Sequence, residues 1–172
     1  MASLRSPMQL LTFTIDTQPY AILSRSVIEV LPLVPARPLP LMPDYVRGIF
    51  TYRGHLVPLI DLGQRLASRA VEERLSTRVI VVEFIRPADA SKAPVRLGLV
   101  AENVISICSA EDADTTLPAM ELEHAPFLGS LLRLNGRTVQ LILIGRLLPP
   151  TLLDGLFPIP LADPVAIGGE PL

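Results

Sequence analysis

An internal repeat constrains this chain more than any other feature, because two copies of one motif must fold into two related units or one pseudo-symmetric whole. Set at a constant offset, "YAILSRSVIEV" (20–30) falls on "LGLVAENVISI" (97–107). Tyr20, Ile22, Leu23, Val27, Ile28 and Val30 then meet Leu97, Leu99, Val100, Val104, Ile105 and Ile107. Further along, "GIFTYRGHLVPLIDLGQRL" (48–66) falls on "GSLLRLNGRTVQLILIGRLL" (129–148) with a single inserted residue, Asn135. Gly48, Gly54, Val57, Leu59 and Gly63 meet Gly129, Gly136, Val139, Leu141 and Gly145. A short apolar run with a phenylalanine, "LLTFTI" or "VIVVEFI", stands ahead of each copy.

Within each copy the pattern is that of strands punctuated by turns. Leu11, Phe13 and Ile15 alternate with Thr12, Thr14 and Asp16, the period of a half-buried strand. Asn135-Gly136 between two apolar runs predicts a two-residue hairpin, since both residues accept positive φ, and "YRGHLVPLIDL" with Gly54 is its counterpart. Helices are expected to be few and short, at "LGQRLAS" (62–68) and "LIGRLLP" (143–149). Short strands at this spacing predict an all-β chain of small antiparallel barrels, each too small to bury a good core alone and so sharing an apolar seam. The proline-rich stretch 31–43 reads as an extended connector that wraps a barrel, or as a PxxP-type ligand for another domain. Beyond Pro149 the chain has no counterpart in the first copy; a helical first turn and an irregular, mobile end are expected.

Apolar residues make up 49% of the chain against 19% charged, with a mean hydropathy of +0.45, so either the core is large or apolar surface is kept for partners. A net charge of −2 with scattered basic residues gives no footprint for nucleic acid. The lone Cys108 excludes an internal disulfide, suits a reducing compartment and reads as a buried apolar filler. The start "MASLRSPMQLL" lacks the apolar run of a signal peptide, and "VQLILIGRLLPPTLL" is broken by Arg146 and two prolines before the ~20 residues that a membrane span needs. A cytoplasmic chain without direct membrane insertion is expected.

The sequence shows no catalytic constellation. His55 and His124 are the only histidines, neither has a His or Cys partner at metal-ligand spacing, and there is no GxSxG elbow or Walker loop. "AEDAD" (110–114) lacks the glycine and the twelfth-position glutamate of a calcium loop and reads as a solvated loop. Asp61 and Glu83 would form an acid/base pair only if the fold joined them; the default for Asp61 is to cap the short helix that follows it. His55 is expected to be a partly exposed residue just after the turn. Arg53, beside Gly54 between apolar runs, is either a solvated turn residue or an interface anchor.

The order "LTFTIDTQPYAILSRSVIEVL", "PLMPDYVRGIFTYRGHLVPLIDLGQRL", "RLGLVAENVISI" and "GSLLRLNGRTVQLILIGRLL" resembles the CheW family of chemotaxis coupling proteins over about residues 9–149. The element V-x-G-x-x-x-x-R-G-x-x-x-P-x-x-D-L carries most of that likeness. The resemblance implies a single all-β domain of two SH3-like five-stranded barrels on a shared hydrophobic core. On the repeat, the barrels are expected at about 9–75 and 76–149, with 150–172 as a tail. It also implies a non-enzymatic adaptor without cofactor. Such an adaptor joins the cytoplasmic tip of methyl-accepting chemoreceptors to the regulatory domain of a CheA-type histidine kinase, at receptor arrays reached through these partners.

By the same resemblance, receptor contact falls on Val27, Glu29, Gly48, Arg53, Gly98, Val104 and Ile107, around the groove between the barrels. Gly54, Asn135 and Gly136 make turns. Three departures stand out: Thr51-Tyr52 replaces the usual Asn-Leu before Arg-Gly, Leu143 replaces a polar residue late in the last strand, and the tail is proline-rich. "FTYRG" and "ERLSTRVIVVEF" look closer to Wsp-type surface-sensing coupling proteins that control cyclic-di-GMP output. A peptide-binding SH3-like module is the alternative outside receptor arrays, and it requires an aromatic groove that five Phe, three Tyr and no Trp supply poorly.

Overall fold

The computed structural model describes residues 8–86, 93–119 and 121–157. Strands β1 (Gln9–Ile15) and β2 (Gln18–Leu23) form an antiparallel hairpin. In β1 Leu11, Phe13 and Ile15 are buried while Thr12 and Thr14 are half-exposed, as the alternation predicts. A 3₁₀ turn at Ser24–Ser26 leads into β3 (Val27–Pro32), and β4 (Val46–Tyr52) and β5 (His55–Asp61) form a second hairpin that runs into helix α1 (Leu62–Ala67). Then follow β6 (Arg78–Phe84), the long β7 (Val95–Ser109), β8 (Thr115–Leu117), β9 (Leu128–Leu134), β10 (Arg137–Ile142) and helix α2 (Pro150–Leu156).

Pairing reproduces the repeat strand for strand. β1–β2 matches β6–β7, β4–β5 matches β9–β10, and the parallel pair β2–β10 matches the parallel pair β7–β5. β3 lies antiparallel to β6 just as the second half of β7 lies antiparallel to β1. Two five-stranded barrels result. The first is built from β3, β4, β5, β6 and the first half of β7; the second from β1, β2, β9, β10 and the second half of β7, with short β8 along β9.

The division at 75/76 is therefore corrected: each barrel takes strands from both copies. The chain crosses between them at equivalent places, through the 3₁₀ turn after β2 and through a bend inside β7. There Asn103 takes a left-handed φ of 45°, donates from Nδ2 to Thr14 Oγ1 at 3.0 Å, and the register with β1 slips. Asparagine tolerates that conformation better than most residues, which suits it to a bend inside a strand.

Both barrels feed one main core. Leu11, Phe13 and Ile22 of the second barrel pack in the same cluster as Val57, Leu59, Ile80, Leu97 and Leu99 of the first, joined by Leu147, Leu148 and Leu153 of the C-terminal segment. The opposite face of the β1–β2 hairpin supplies Leu10 and Ala21 to a smaller cluster with Leu132, Leu134 and Val139. Five buried residues are too few to hold a barrel alone, which makes the shared seam the principal source of stability.

The proline-rich connector does wrap the first barrel. Arg37 exchanges backbone hydrogen bonds of 2.8 and 2.9 Å with Ile49, forming a one-residue bridge to β4. The expected helix at 62–68 is α1, ended by Ser68 in a left-handed conformation. The one expected at 143–149 is only a 3₁₀ turn, Ile144–Arg146, because Pro149 and Pro150 cannot donate to a continuing helix. Pro150 instead sits at the start of α2, where its missing N–H costs nothing. The expected irregular end of the tail, 158–172, lies outside the described residues.

Phe13 is 1% exposed at the centre of the main cluster. Phe13→Ala is expected to destabilise the whole domain by about 3–5 kcal/mol in chemical denaturation, with both barrels melting in one transition.

Candidate functional site

The β4–β5 turn presents the most distinctive side chain. Arg53 (φ 48°) and Gly54 (φ 78°) occupy a two-residue turn, as do Asn135 (φ 50°) and Gly136 (φ 76°) in the β9–β10 hairpin. Both central positions of such a turn require positive φ, which Asn and Gly accept cheaply. Arginine at the first position costs about 1–2 kcal/mol in backbone strain.

That side chain reaches back over the barrel. Arg53 Nη2 lies 3.1 Å from Glu29 Oε2 on β3, and its guanidinium sits 5.0 Å from the centroid of the Tyr52 ring. Tyr52 buries its ring and donates its hydroxyl to the same Glu29 oxygen. The Arg53 side chain remains 63% exposed and Glu29 39%, so this pair contributes little to stability and the guanidinium is open to a further acceptor. The hydrogen bond to Glu29 raises the Tyr52 pKa above the ordinary phenol value, with burial adding to it. Here the unusual Tyr52 has a clear job, which is to hold Glu29 in place beneath Arg53.

The other predicted positions divide into two groups. Glu29, Val81 and Gly98 lie side by side on three adjacent strands, and Val27, Val82 and Leu97 form the next row. Val27 and Val104 are half-buried against the main cluster, near the two crossings between the barrels. Ile107 belongs to the second barrel, pairs with Leu11, and is 62% exposed beside Ile105 at 76%.

Gly48 and Gly98 are corrected as contact residues: both are buried. A Cβ on Gly48 (φ 139°) would stand 2.0 Å from the Arg37 carbonyl oxygen, and one on Gly98 would stand 2.6 Å from Phe50 Cε1. These glycines admit the connector and a ring.

Sequence reasoning passed over Arg47. A bulge in β4 at this residue turns its side chain toward Asp61, which is 1% exposed. Asp61 Oδ2 accepts from Arg47 Nε at 2.9 Å and Nη2 at 2.8 Å, while Oδ1 accepts from Gln64 N at 3.0 Å and Val71 N at 3.1 Å. Arg47 also donates to the Val71 carbonyl and to Glu73. Asp61 thus caps α1 as expected and is fully engaged in structure. An arginine inside an apolar strand was the available signal, since such a residue needs a buried partner.

Glu83 pairs with Arg96 at 3.1 Å, so the two carboxylates of the supposed acid/base pair each have their own arginine. His55 is exposed. "AEDAD" forms a 3₁₀ turn capped by Ser109. Leu143 follows β10 and donates its backbone N–H to Phe127. Cys108 is half-buried, with burial and then Asp112 raising its thiol pKa. Among the described residues no three His, Cys, Asp or Glu side chains gather to hold a metal, and no helix is long and apolar enough to cross a membrane.

The profile of the CheW-like domain matches residues 9–150. The chain belongs to the CheW-like domain family. Within that family it is 28% identical over 144 residues to the chemotaxis protein CheW of Rhizobium meliloti, covering 82% of this chain and 87% of that one. It is also 28% identical over 143 residues to CheW of Klebsiella aerogenes, covering 81% of each. The crystal structure of the scaffolding protein TtCheW from Thermoanaerobacter tengcongensis superposes with a TM-score of 0.71 at 20% identity, over 87% of this chain and 92% of that one. The pair of SH3-like barrels is thus the CheW fold.

Two consequences are testable. Tyr52 is expected to titrate above the ordinary value of about 10, and Glu29→Gln to lower that value, both read from phenolate absorbance. Because the folded pKa is raised, the contribution is fully present below the unfolded value and is lost as pH rises through the folded one. Asp61→Ala, which leaves Arg47 and two backbone N–H groups without their acceptor, is expected to cost about 3–5 kcal/mol in denaturant unfolding.

Proposed function

We propose that this protein is a non-enzymatic adaptor that couples the cytoplasmic tip of a methyl-accepting chemoreceptor to the regulatory domain of a CheA-type histidine kinase, acting at the receptor array. Membership in the CheW-like family supports the reading. The observation that carries it in this chain is the turn of Arg53, where a strained backbone presents a mostly exposed guanidinium whose present partner, Glu29, is itself exchangeable. Val27 and Val104 at the crossings and exposed Ile107 supply apolar contact around it, so that a receptor helix is gripped by apolar surface and registered by one cation. The likeness to chemotaxis proteins gives the surface-sensing branch no support.

A peptide-binding SH3 module needs exposed rings, and all eight aromatic side chains here are buried or half-buried. Individual contacts of this size suit affinities near the micromolar level, about −8 kcal/mol, which an array multiplies by avidity.

Co-sedimentation of the protein with a receptor-tip fragment and a CheA-type kinase tests the reading through Arg53→Asn, which places in this turn the residue its sister turn already uses. Stability is expected to hold or to rise by up to about 1 kcal/mol as strain is relieved. Receptor binding is expected to fall about tenfold with loss of an interface arginine. Unchanged ternary complexes with Arg53→Asn would remove Arg53 from the interface, and absence of complexes with the wild type would overturn the adaptor.

A further inference from the structure

Arg53 lies over one aromatic ring, whereas Arg65, half-buried, lies against two. Arg65, on α1, has its guanidinium carbon 4.9 Å from the Tyr45 ring centroid and 4.7 Å from that of Phe127. Its Nε donates to the Leu147 carbonyl at 2.8 Å. Among the described residues it has no carboxylate partner, so two π faces and one carbonyl hold a half-buried cation.

These partners come from both sides of the molecule. α1 and Tyr45 flank strands of the first barrel: the Tyr45 carbonyl accepts from Asp61 N at 2.7 Å at the end of β5. Phe127 and Leu147 flank strands of the second: the Phe127 carbonyl accepts from Leu143 N at 2.7 Å, just after β10. By the repeat, Arg65 and Leu147 are equivalent positions, each two residues beyond the matched Gly63 and Gly145. The two copies therefore meet at like positions. One contributes a cation and the other its acceptor, which gives the contact a single geometry where two apolar side chains would slide.

A second tie runs the same way. Arg86, just past β6 of the first barrel and 8% exposed, donates to Asp154 Oδ1 at 2.9 Å and to the Phe157 carbonyl at 2.7 Å on and after α2. Two arginines of the first barrel thereby secure the chain that leaves the second.

We propose that Arg65 is a latch that sets the angle between the barrels, and through it the register of the partner-contact residues of one barrel against those of the other. The inference rests on the adaptor reading for its consequence, because Glu29 and Arg53 lie on the first barrel and Ile107 on the second. A rigid helical partner that touches both loses affinity when their relation is loose. Arg65 acts through this geometry and touches no partner itself.

The test uses the full chain with Cys108→Ser and spin labels on Leu75→Cys and Arg137→Cys, exposed positions on opposite barrels. Electron–electron distance distributions are compared for wild type, Arg65→Gln, Arg65→Lys and Tyr45→Leu. The expected result is one narrow distance for wild type, a broadened distribution for Arg65→Gln and Tyr45→Leu, and partial recovery for Arg65→Lys. Receptor-tip binding should weaken about tenfold in Arg65→Gln while far-ultraviolet circular dichroism is unchanged, a coupling of ordinary size. A distribution as narrow as wild type in Arg65→Gln overturns the latch. If Arg65→Gln does not fold, an unbroadened Tyr45→Leu does so instead. Broadening in a protein whose wild type binds neither partner would sustain the latch and sink the adaptor, which keeps the two failures apart.

Discussion

Everything in this structure depends on the chain changing barrels twice. After β2 it leaves the second barrel for the first, and inside β7 it returns. Neither barrel can close from one copy of the repeat, and each crossing carries apolar side chains, Val27 and Val104, into the seam. The cost of ordering the backbone of a small barrel exceeds what its own interior returns, so the crossings convert two unstable units into one cooperative core. Of the candidate contact residues, Val27 and Val104 are set by these crossings, while Glu29 and Arg53 lie on the first barrel and Ile107 on the second.

Much of this was legible in the sequence, and the rest was hidden for definite reasons. The repeat, the two-residue turns at Arg53-Gly54 and Asn135-Gly136, the alternation in β1 and the cap at Asp61 are local features, and local rules found them. The assignment of strands to barrels was not local. The repeat shows that 20–30 and 97–107 are alike, but not that each is a crossing. A 3₁₀ turn interrupts one, and a left-handed Asn103 in a continuous strand bends the other.

The glycines carry the same lesson. The resemblance marks Gly48 and Gly98 as contact positions, yet each is set by a close approach inside the fold, of the Arg37 carbonyl to one and of Phe50 to the other. Such an approach joins residues far apart in the chain and leaves no periodicity to read. Arg47, Arg65 and Arg86 were missed likewise, since their acceptors lie 14, 82 and 68 residues away.

Arg53 differs from these arginines in what depends on it. Arg47 is spent on a buried carboxylate, Arg65 on two rings and a carbonyl, and Arg86 on a helix end. In each the surrounding structure would be left with an unmet group if the guanidinium moved away. Around Arg53 nothing comparable is at stake: Glu29 keeps the Tyr52 hydroxyl, the ring stays buried, and the backbone would relax with a different residue. Of these four arginines, Arg53 is thus the one on which no buried group depends. In the proposed adaptor, a partner takes over the guanidinium from Glu29 without undoing the barrel beneath it.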